Sequence, residues 1–283
     1  MGVTIAIVNQ KGGVGKTTTA VSLGAGLAMR GQRLLLIDSD PQANATSALG
    51  QSTGSGSGLY ESLVEERPLA GSIVATGTPG LDLAPATLHL AGAEVELVSV
   101  MAREFRMRRA LEPLAEHYDV MLIDCPPSLG LLTVNALAAA NEVLIPVQAE
   151  YLALEGLTHL SRTIELVRRN LNPELRVRGI VLTMFDGRTN LAREVEAEVR
   201  KHFDNTFGAV IPRSVRLSEA PSHGLPIQAY DPRSAGSEAY EQLAEELLAQ
   251  LTASIAPVAP SDPAALVAPV VPAAPVVEAS GGG

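Results

Sequence analysis

Short apolar runs recur along the chain, and several stop abruptly at an aspartate. Val3-Thr4-Ile5-Ala6-Ile7-Val8 is β-branched and nearly all apolar, the pattern of a strand covered on both faces. Leu34-Leu35-Leu36-Ile37 ends at Asp38, and Val120-Met121-Leu122-Ile123 ends at Asp124. Residues 142–147 and 177–183 are two further runs of this kind. Residues 17–29 carry Ala20, Leu23, Leu27 and Ala28, a helical spacing closed by Gly31. Helical stretches are also expected around 131–140, 155–170 and 190–203. A last amphipathic helix is predicted over 237–251 from Ala239, Leu243, Leu247 and Leu251. Strand, loop, helix and strand in that order make a βαβ unit, which requires a parallel sheet with a right-handed crossover. The expected fold is α/β, a doubly wound, mostly parallel sheet flanked by helices. Ser-Thr-Gly-Ser-Gly-Ser-Gly at 52–58 reads as a flexible surface loop. Beyond residue 254 the chain turns Ala/Pro/Val-rich, with Pro257, Pro260, Pro263, Pro269, Pro272 and Pro275. The prolines oppose a packed element there, so the expected division is a folded domain over 1–254 and a disordered tail over 255–283.

Composition narrows the function. No run approaches the roughly eighteen consecutive apolar residues of a membrane-spanning helix. The first residues lack the basic segment and cleavage site of a signal peptide, so a cytoplasmic location is expected. The single cysteine, Cys125, excludes an internal disulfide framework and leaves too few thiols for a one-chain zinc or cluster site. A net charge of −10 argues against holding nucleic acid by bulk electrostatics alone, although a local patch can outweigh the average. The only lysines are Lys11, Lys16 and Lys201, and two of the three share one glycine-rich loop.

That loop, Lys11-Gly12-Gly13-Val14-Gly15-Lys16-Thr17, joins the first strand to the first helix. Such a junction presents backbone N–H groups and a partial positive charge to anions. Side chains at Gly12, Gly13 or Gly15 would obstruct close wrapping around phosphate. Lys16 is placed to reach the β- and γ-phosphates, and the Thr17 hydroxyl to ligate Mg²⁺. Two acidic groups follow buried strands, Asp38-Ser39-Asp40-Pro41-Gln42 and Asp124-Cys125-Pro126-Pro127-Ser128. Ligands of open α/β sheets bind at the carboxyl ends of strands, so both groups should converge on the loop. Asp124 suits a Mg²⁺-holding role with Asp38 supporting the metal shell, and Asp40 suits orienting or deprotonating the attacking water. The expected activity is ATP hydrolysis.

The loop has Gln10 where a glycine is usual, and it adds Lys11. It resembles the deviant Walker A group of P-loop NTPases, whose motif reads K-G-G-x-G-K-T. Further matches are Asn9 to Thr19, Asp38 to Thr46, Ile123 to Ser128, and Arg216-Leu217-Ser218-Glu219-Ala220-Pro221-Ser222-His223-Gly224. Across nearly all of residues 1–251 the chain resembles the ParA/Soj-type chromosome partitioning ATPases, relatives of the MinD ATPases. The resemblance implies an ATP-sandwich homodimer in which Lys11 reaches the partner's nucleotide. It implies catalytic roles for Lys11, Lys16 and Asp40, and nucleotide contacts from Lys11, Gly12, Gly13, Val14, Gly15, Lys16, Thr17 and Thr18. Met184, Pro212 and Ser214 match the adenine pocket, although relatives often carry Asn at the last position. Arg188 and Arg216 match the arginines that dominate contact with double-stranded DNA, bound without sequence preference on the nucleoid. A ParB-type partner would stimulate an otherwise slow hydrolysis and release the dimer.

Other readings fit the residues less well. An iron–sulfur reductase sharing this loop needs two cysteines per subunit. A MinD-like membrane-positioning ATPase would end in a basic amphipathic helix, whereas 237–251 carries Glu238, Glu241, Glu245 and Glu246 with no Lys or Arg, so no membrane partner is expected. A tyrosine kinase of the superfamily would carry a tyrosine-rich tail. Plasmid-type relatives have an N-terminal DNA-reading extension, and here the loop begins by residue 11. A scaffold that positions a polar or motility complex remains the alternative. Arg103, Arg106, Arg108 and Arg109 could extend a DNA surface but read first as a solvated helix face, and His89, His117, His159, His202 and His223 show no ligand spacing.

Overall fold

A computed structural model of the chain describes residues 2–52, 58–150 and 153–253. Residues 53–57 of the expected surface loop and the whole of the expected tail lie outside the described residues. Eight strands form one sheet among the described residues: β1 (Val3–Ile7), β2 (Leu34–Asp38), β3 (Val74–Ala75), β4 (Leu81–Ala84), β5 (Val120–Asp124), β6 (Glu142–Gln148), β7 (Arg176–Phe185) and β8 (Thr206–Pro212). Their spatial order is β3-β4-β2-β5-β1-β6-β7-β8, and every neighbouring pair is parallel except β3 with β4. The helices are α1 (Lys16–Met29), α2 (Asn44–Ala48), α3 (Leu59–Val64), α4 (Leu90–Glu96), α5 (Arg106–Leu111), α6 (Leu131–Ala139), α7 (Ala153–Asn170), α8 (Asn190–His202), α9 (Val215–Glu219), α10 (Ile227–Tyr230) and α11 (Ala235–Ala253).

The central strands are apolar on both faces because both faces are covered. Ile5, Ile7, Leu34, Leu36, Val120 and Leu122 pack into one core together with Leu23 and Leu27 of α1 and Tyr240, Leu243 and Leu247 of α11. Their neighbours Ala6, Leu35, Ile37, Met121 and Ile123 face the opposite core, which Leu132, Leu137, Leu157 and Leu160 of α6 and α7 complete. The period-two alternation of side chains thus sends one run of residues into two cores. Strand order reverses around β1: the chain first builds outward through β2 and β4, then returns to β6, β7 and β8. Such a switch point opens a crevice beyond the carboxyl ends of the strands.

The predicted strands and long helices are present with boundaries shifted by a few residues. The sequence reading omitted β3, β4 and β8 and the short helices, and β8 shows why. Its burial alternates, and Gly208 interrupts the apolar run. The arginine run needs a correction. Arg106 is buried and ion-paired to Glu66, and Arg108 donates from Nε to the Ala138 carbonyl at 2.8 Å. Arg108 also stacks over Phe105. Arg106 and Arg108 thus fasten α5 to its neighbours, so the run is not a solvated face throughout, although Arg109 is exposed.

Helix α1 is buried along most of its length because it lies between the sheet and α11. A Cβ added at Gly26 would stand 3.0 Å from Ala244 Cβ and 3.4 Å from the Gln228 amide nitrogen. The Thr19 and Tyr240 hydroxyls meet at 3.1 Å across the same contact. Gly26→Val is therefore expected to lower stability by about 1–3 kcal/mol through overpacking. Urea denaturation checks this, and an unchanged midpoint would mean that α11 moves aside freely.

Candidate nucleotide site

The phosphate loop is anchored at three points. Asn9 donates its Nδ2 to Pro146 O at 2.7 Å and accepts from the Lys11 N–H on its Oδ1 at 3.0 Å. Thr183 of β7 donates its hydroxyl to Val14 O at 2.9 Å, so the buried Val14 serves through its backbone. Gly13 and Gly15 take φ of +75° and +85°, a region L side chains rarely adopt, and this lets the chain turn into α1. No side chain caps α1, which leaves the amides of its first turn for an anion. Lys16 is 7% exposed and curls back so that Nζ donates to Lys11 O at 3.1 Å. Burial lowers its pKa, opposed by the nearby Asp124 and Asp40 carboxylates.

Opposite the loop, β2 and β5 end side by side, with Asp38 and Asp124 as register partners. Asp124 is fully buried, and neither of its oxygens makes a hydrogen bond of good geometry. Burial first, then the neighbouring Asp38, pushes its carboxyl well above the usual range, while the nearby Thr17 hydroxyl and Lys16 pull it down. Asp38 is equally buried but engaged. Its Oδ2 accepts from Thr46 N–H at 2.8 Å and Thr46 Oγ1 at 2.7 Å, and its Oδ1 accepts from Asp40 N–H at 3.2 Å. Burial raises its carboxyl to about 6 despite those bonds. Asp38 thus braces the turn that carries Asp40, whose Oδ1 accepts from Gln42 N–H at 2.9 Å. A hard divalent cation takes oxygen ligands, and the orphaned Asp124 carboxylate beside the Thr17 hydroxyl fits one. Burial pushes the Cys125 thiol up, which leaves it an inert neighbour.

A cavity of ≈ 440 Å³ opens from this point. Its lining includes Gly12, Gly13, Gly15, Lys16, Thr17 and Thr18 of the loop and helix start, Asp40, and the largely apolar Met184, Leu217, Ala220, Pro221 and Leu225. Met184 holds φ +50°, an uncommon conformation for a residue with a side chain. Pro212 and Ser214 are not among the lining residues. Pro212 pairs with Phe185, and Ser214 sits at the N-terminus of α9 without capping it. Leu217, Ala220 and Pro221 of the Arg216–Gly224 stretch, for which no pocket role was expected, form part of the cavity wall. Asn44 and Ser47 of α2 also line it, Asn44 within the matched Asp38–Thr46 stretch and Ser47 just beyond it. Lys11 stands outside the cavity, its Nζ 2.7 Å from Glu150 Oε2 in a half-exposed ion pair. Arg188 and Arg216 lie on the exposed edge beyond β7 and β8, and both are ion-paired.

Residues 2–177 match a family model described as an AAA domain. The Bacillus subtilis sporulation initiation inhibitor protein Soj is 56% identical over 251 residues, spanning 88% of this chain and 99% of that protein. The chain belongs to the Soj/ParA family. Another member, the Myxococcus xanthus chromosome partitioning protein ParA, is 55% identical over 86% of this chain and 87% of its own length. Among solved structures, the Mycobacterium smegmatis cobyrinic acid a,c-diamide synthase with bound ADP and magnesium superimposes with a TM-score of 0.79 at 37% identity. That match covers 90% of this chain and 97% of the synthase. Its eight-stranded counterpart here is the fold of the Soj/ParA and MinD P-loop NTPases.

An unpaired carboxylate in the core destabilises the nucleotide-free protein. Asp124→Asn is therefore expected to stabilise the nucleotide-free Soj/ParA chain by about 1–2 kcal/mol, the gain seen when function-serving strain is removed. The same substitution should abolish turnover of Mg·ATP. Chemical denaturation without nucleotide reads the first effect, and a loss of stability there would mean that Asp124 is already compensated.

Proposed function

We propose that this chain is a DNA-segregation ATPase that hydrolyses ATP with Mg²⁺ and partitions a chromosome or plasmid. The observation that carries the reading is the buried Asp124 carboxylate, without a donor of its own, facing a phosphate loop whose amides are uncapped. Support comes from the Soj and ParA names of the relatives and from the ADP and magnesium in the synthase. The domain spans 1–254, with 255–283 as a tail, and the protein acts in the cytoplasm on the nucleoid.

The loop amides and Lys16 bind the triphosphate, and the Thr17 hydroxyl and Asp124 hold Mg²⁺. Held by these residues, Mg²⁺ would supply neutralisation of the phosphate charge. Asp40, braced by Asp38, orients the attacking water. Met184, Leu217, Ala220 and Leu225 give the cavity an apolar wall that excludes water. Lys11 is restrained only by an exposed ion pair, worth about 0–1 kcal/mol, so it can leave Glu150 for the nucleotide of a second subunit. The ATP-bound homodimer then binds double-stranded DNA through Arg188 and Arg216, contacts to phosphate that need not read bases. Hydrolysis is slow until a ParB-type partner completes the site, and it releases the dimer.

Anisotropy of a labelled arbitrary duplex tests this with Mg²⁺ and ATP, with ADP, and without nucleotide. Salt-sensitive binding is expected with ATP alone, kept in Asp40→Ala and lost by more than about tenfold in Arg216→Ala. Binding that ignores the nucleotide would contradict the switch, and no binding in any state would favour a positioning scaffold.

A further inference from the structure

Three arginines stand at the edge formed by the carboxyl ends of β7 and β8. Arg188 follows β7. Arg213 follows β8, its N–H donating to Phe185 O at 3.0 Å, and Arg216 lies in the adjoining α9. Two of the three are already taken. Arg188 donates from Nε to Asp186 Oδ1 at 2.8 Å and from Nη2 to Asp186 Oδ2 at 2.7 Å. This is the same bidentate fork that a guanidinium offers a phosphate. The Arg188 N–H also donates to Asp186 Oδ1 at 3.1 Å, which locks the pair within one turn. Arg188 holds the Asp186 carboxyl down at about 2, so the pair stays charged at any working pH.

Arg216 is engaged in the same way. Its Nη1 lies 3.0 Å from Glu219 Oε2 and its Nε 3.4 Å from Asp231 Oδ2. Tyr230 donates its hydroxyl to Glu219 Oε2 at 3.2 Å, which keeps that carboxylate in place. Arg213 is exposed and makes no side-chain hydrogen bond or ion pair among the described residues, and it lies near enough to Asp186 to act on its carboxyl. A phosphate arriving at this edge gains Arg213 without displacing anything. At Arg188 and Arg216 it must displace a carboxylate, which then stands beside it as a like charge. The exposed Arg188 side chain, 90% accessible, has no packing that requires the pair.

Resting on the DNA-segregation reading above, we propose that Asp186 and the Glu219–Asp231 pair are built-in competitors for DNA phosphate that hold non-specific affinity down. Arg213 is then a third DNA-contacting arginine, free to engage first. The device keeps binding weak enough for the dimer to leave DNA when its nucleotide is spent.

Full-length protein with Mg²⁺ and ATP is titrated against a labelled arbitrary duplex at several salt concentrations. The variants are Asp186→Asn, which keeps the oxygen that accepts the Arg188 N–H, Glu219→Gln and Arg213→Ala. Asp186→Asn and Glu219→Gln are each expected to bind about two- to fivefold tighter, the range of an exposed ion pair. Arg213→Ala should weaken binding and flatten the log–log salt slope by about one unit. Unchanged or weaker binding by Asp186→Asn would overturn the competitor role, since the carboxylate would then be positioning Arg188 for DNA. An unchanged slope in Arg213→Ala would overturn the third contact. A wild-type protein without ATP-dependent DNA binding would withdraw the DNA reading itself, and this inference with it.

Discussion

The structure is organised around a carboxyl group that it buries without a hydrogen-bond donor. Parallel strands send all their carboxyl ends to one edge, and β2 and β5 both end there in aspartate. Asp38 is reconciled to burial by Thr46 and by the Asp40 N–H, whereas Asp124 is left without a donor. Lys16 is drawn toward the pair yet spends its hydrogen bond on the loop carbonyl. Two carboxyls raised by burial and one ammonium lowered by it form a site that is least satisfied when empty of ligand. That is the condition under which a metal and a polyphosphate bind with differential effect on conformation.

The same edge connects nucleotide to the outer surface over short distances. Leu217, next to Arg216, and Met184, two residues before Asp186, both line the cavity. A ligand that packs against Met184 and Leu217 therefore presses on both segments that carry the exposed arginines. Lys11 occupies the opposite side of the loop, on Glu150, and is held only by a solvated pair. None of these contacts is strong alone, as suits elements that must rearrange on binding.

The sequence disclosed what short-range chemistry encodes. Apolar runs ending at Asp38 and Asp124 marked buried strands because a two-faced parallel sheet leaves no polar face. The glycine loop marked the anion site because Gly13 and Gly15 need left-handed backbone. What stayed hidden is tertiary. Leu-Asp-Leu-Ala of β4 is too short and too mixed to announce a strand, and β8 alternates like a half-exposed one. The cavity wall of Leu217, Ala220 and Pro221 depends on how the turn over 220–223 packs on α2, which no local pattern records. Arg106 reads as surface until Glu66 is seen beside it.

On the proposed function, the loop and the strand-end carboxylates form one Mg·nucleotide site whose filling changes the association state. Sedimentation velocity of Asp40→Ala with Mg²⁺ and either ATP or ADP tests it most directly. A doubling of mass is expected with ATP, and a monomer with ADP. A single species of the same mass under both nucleotides would contradict it.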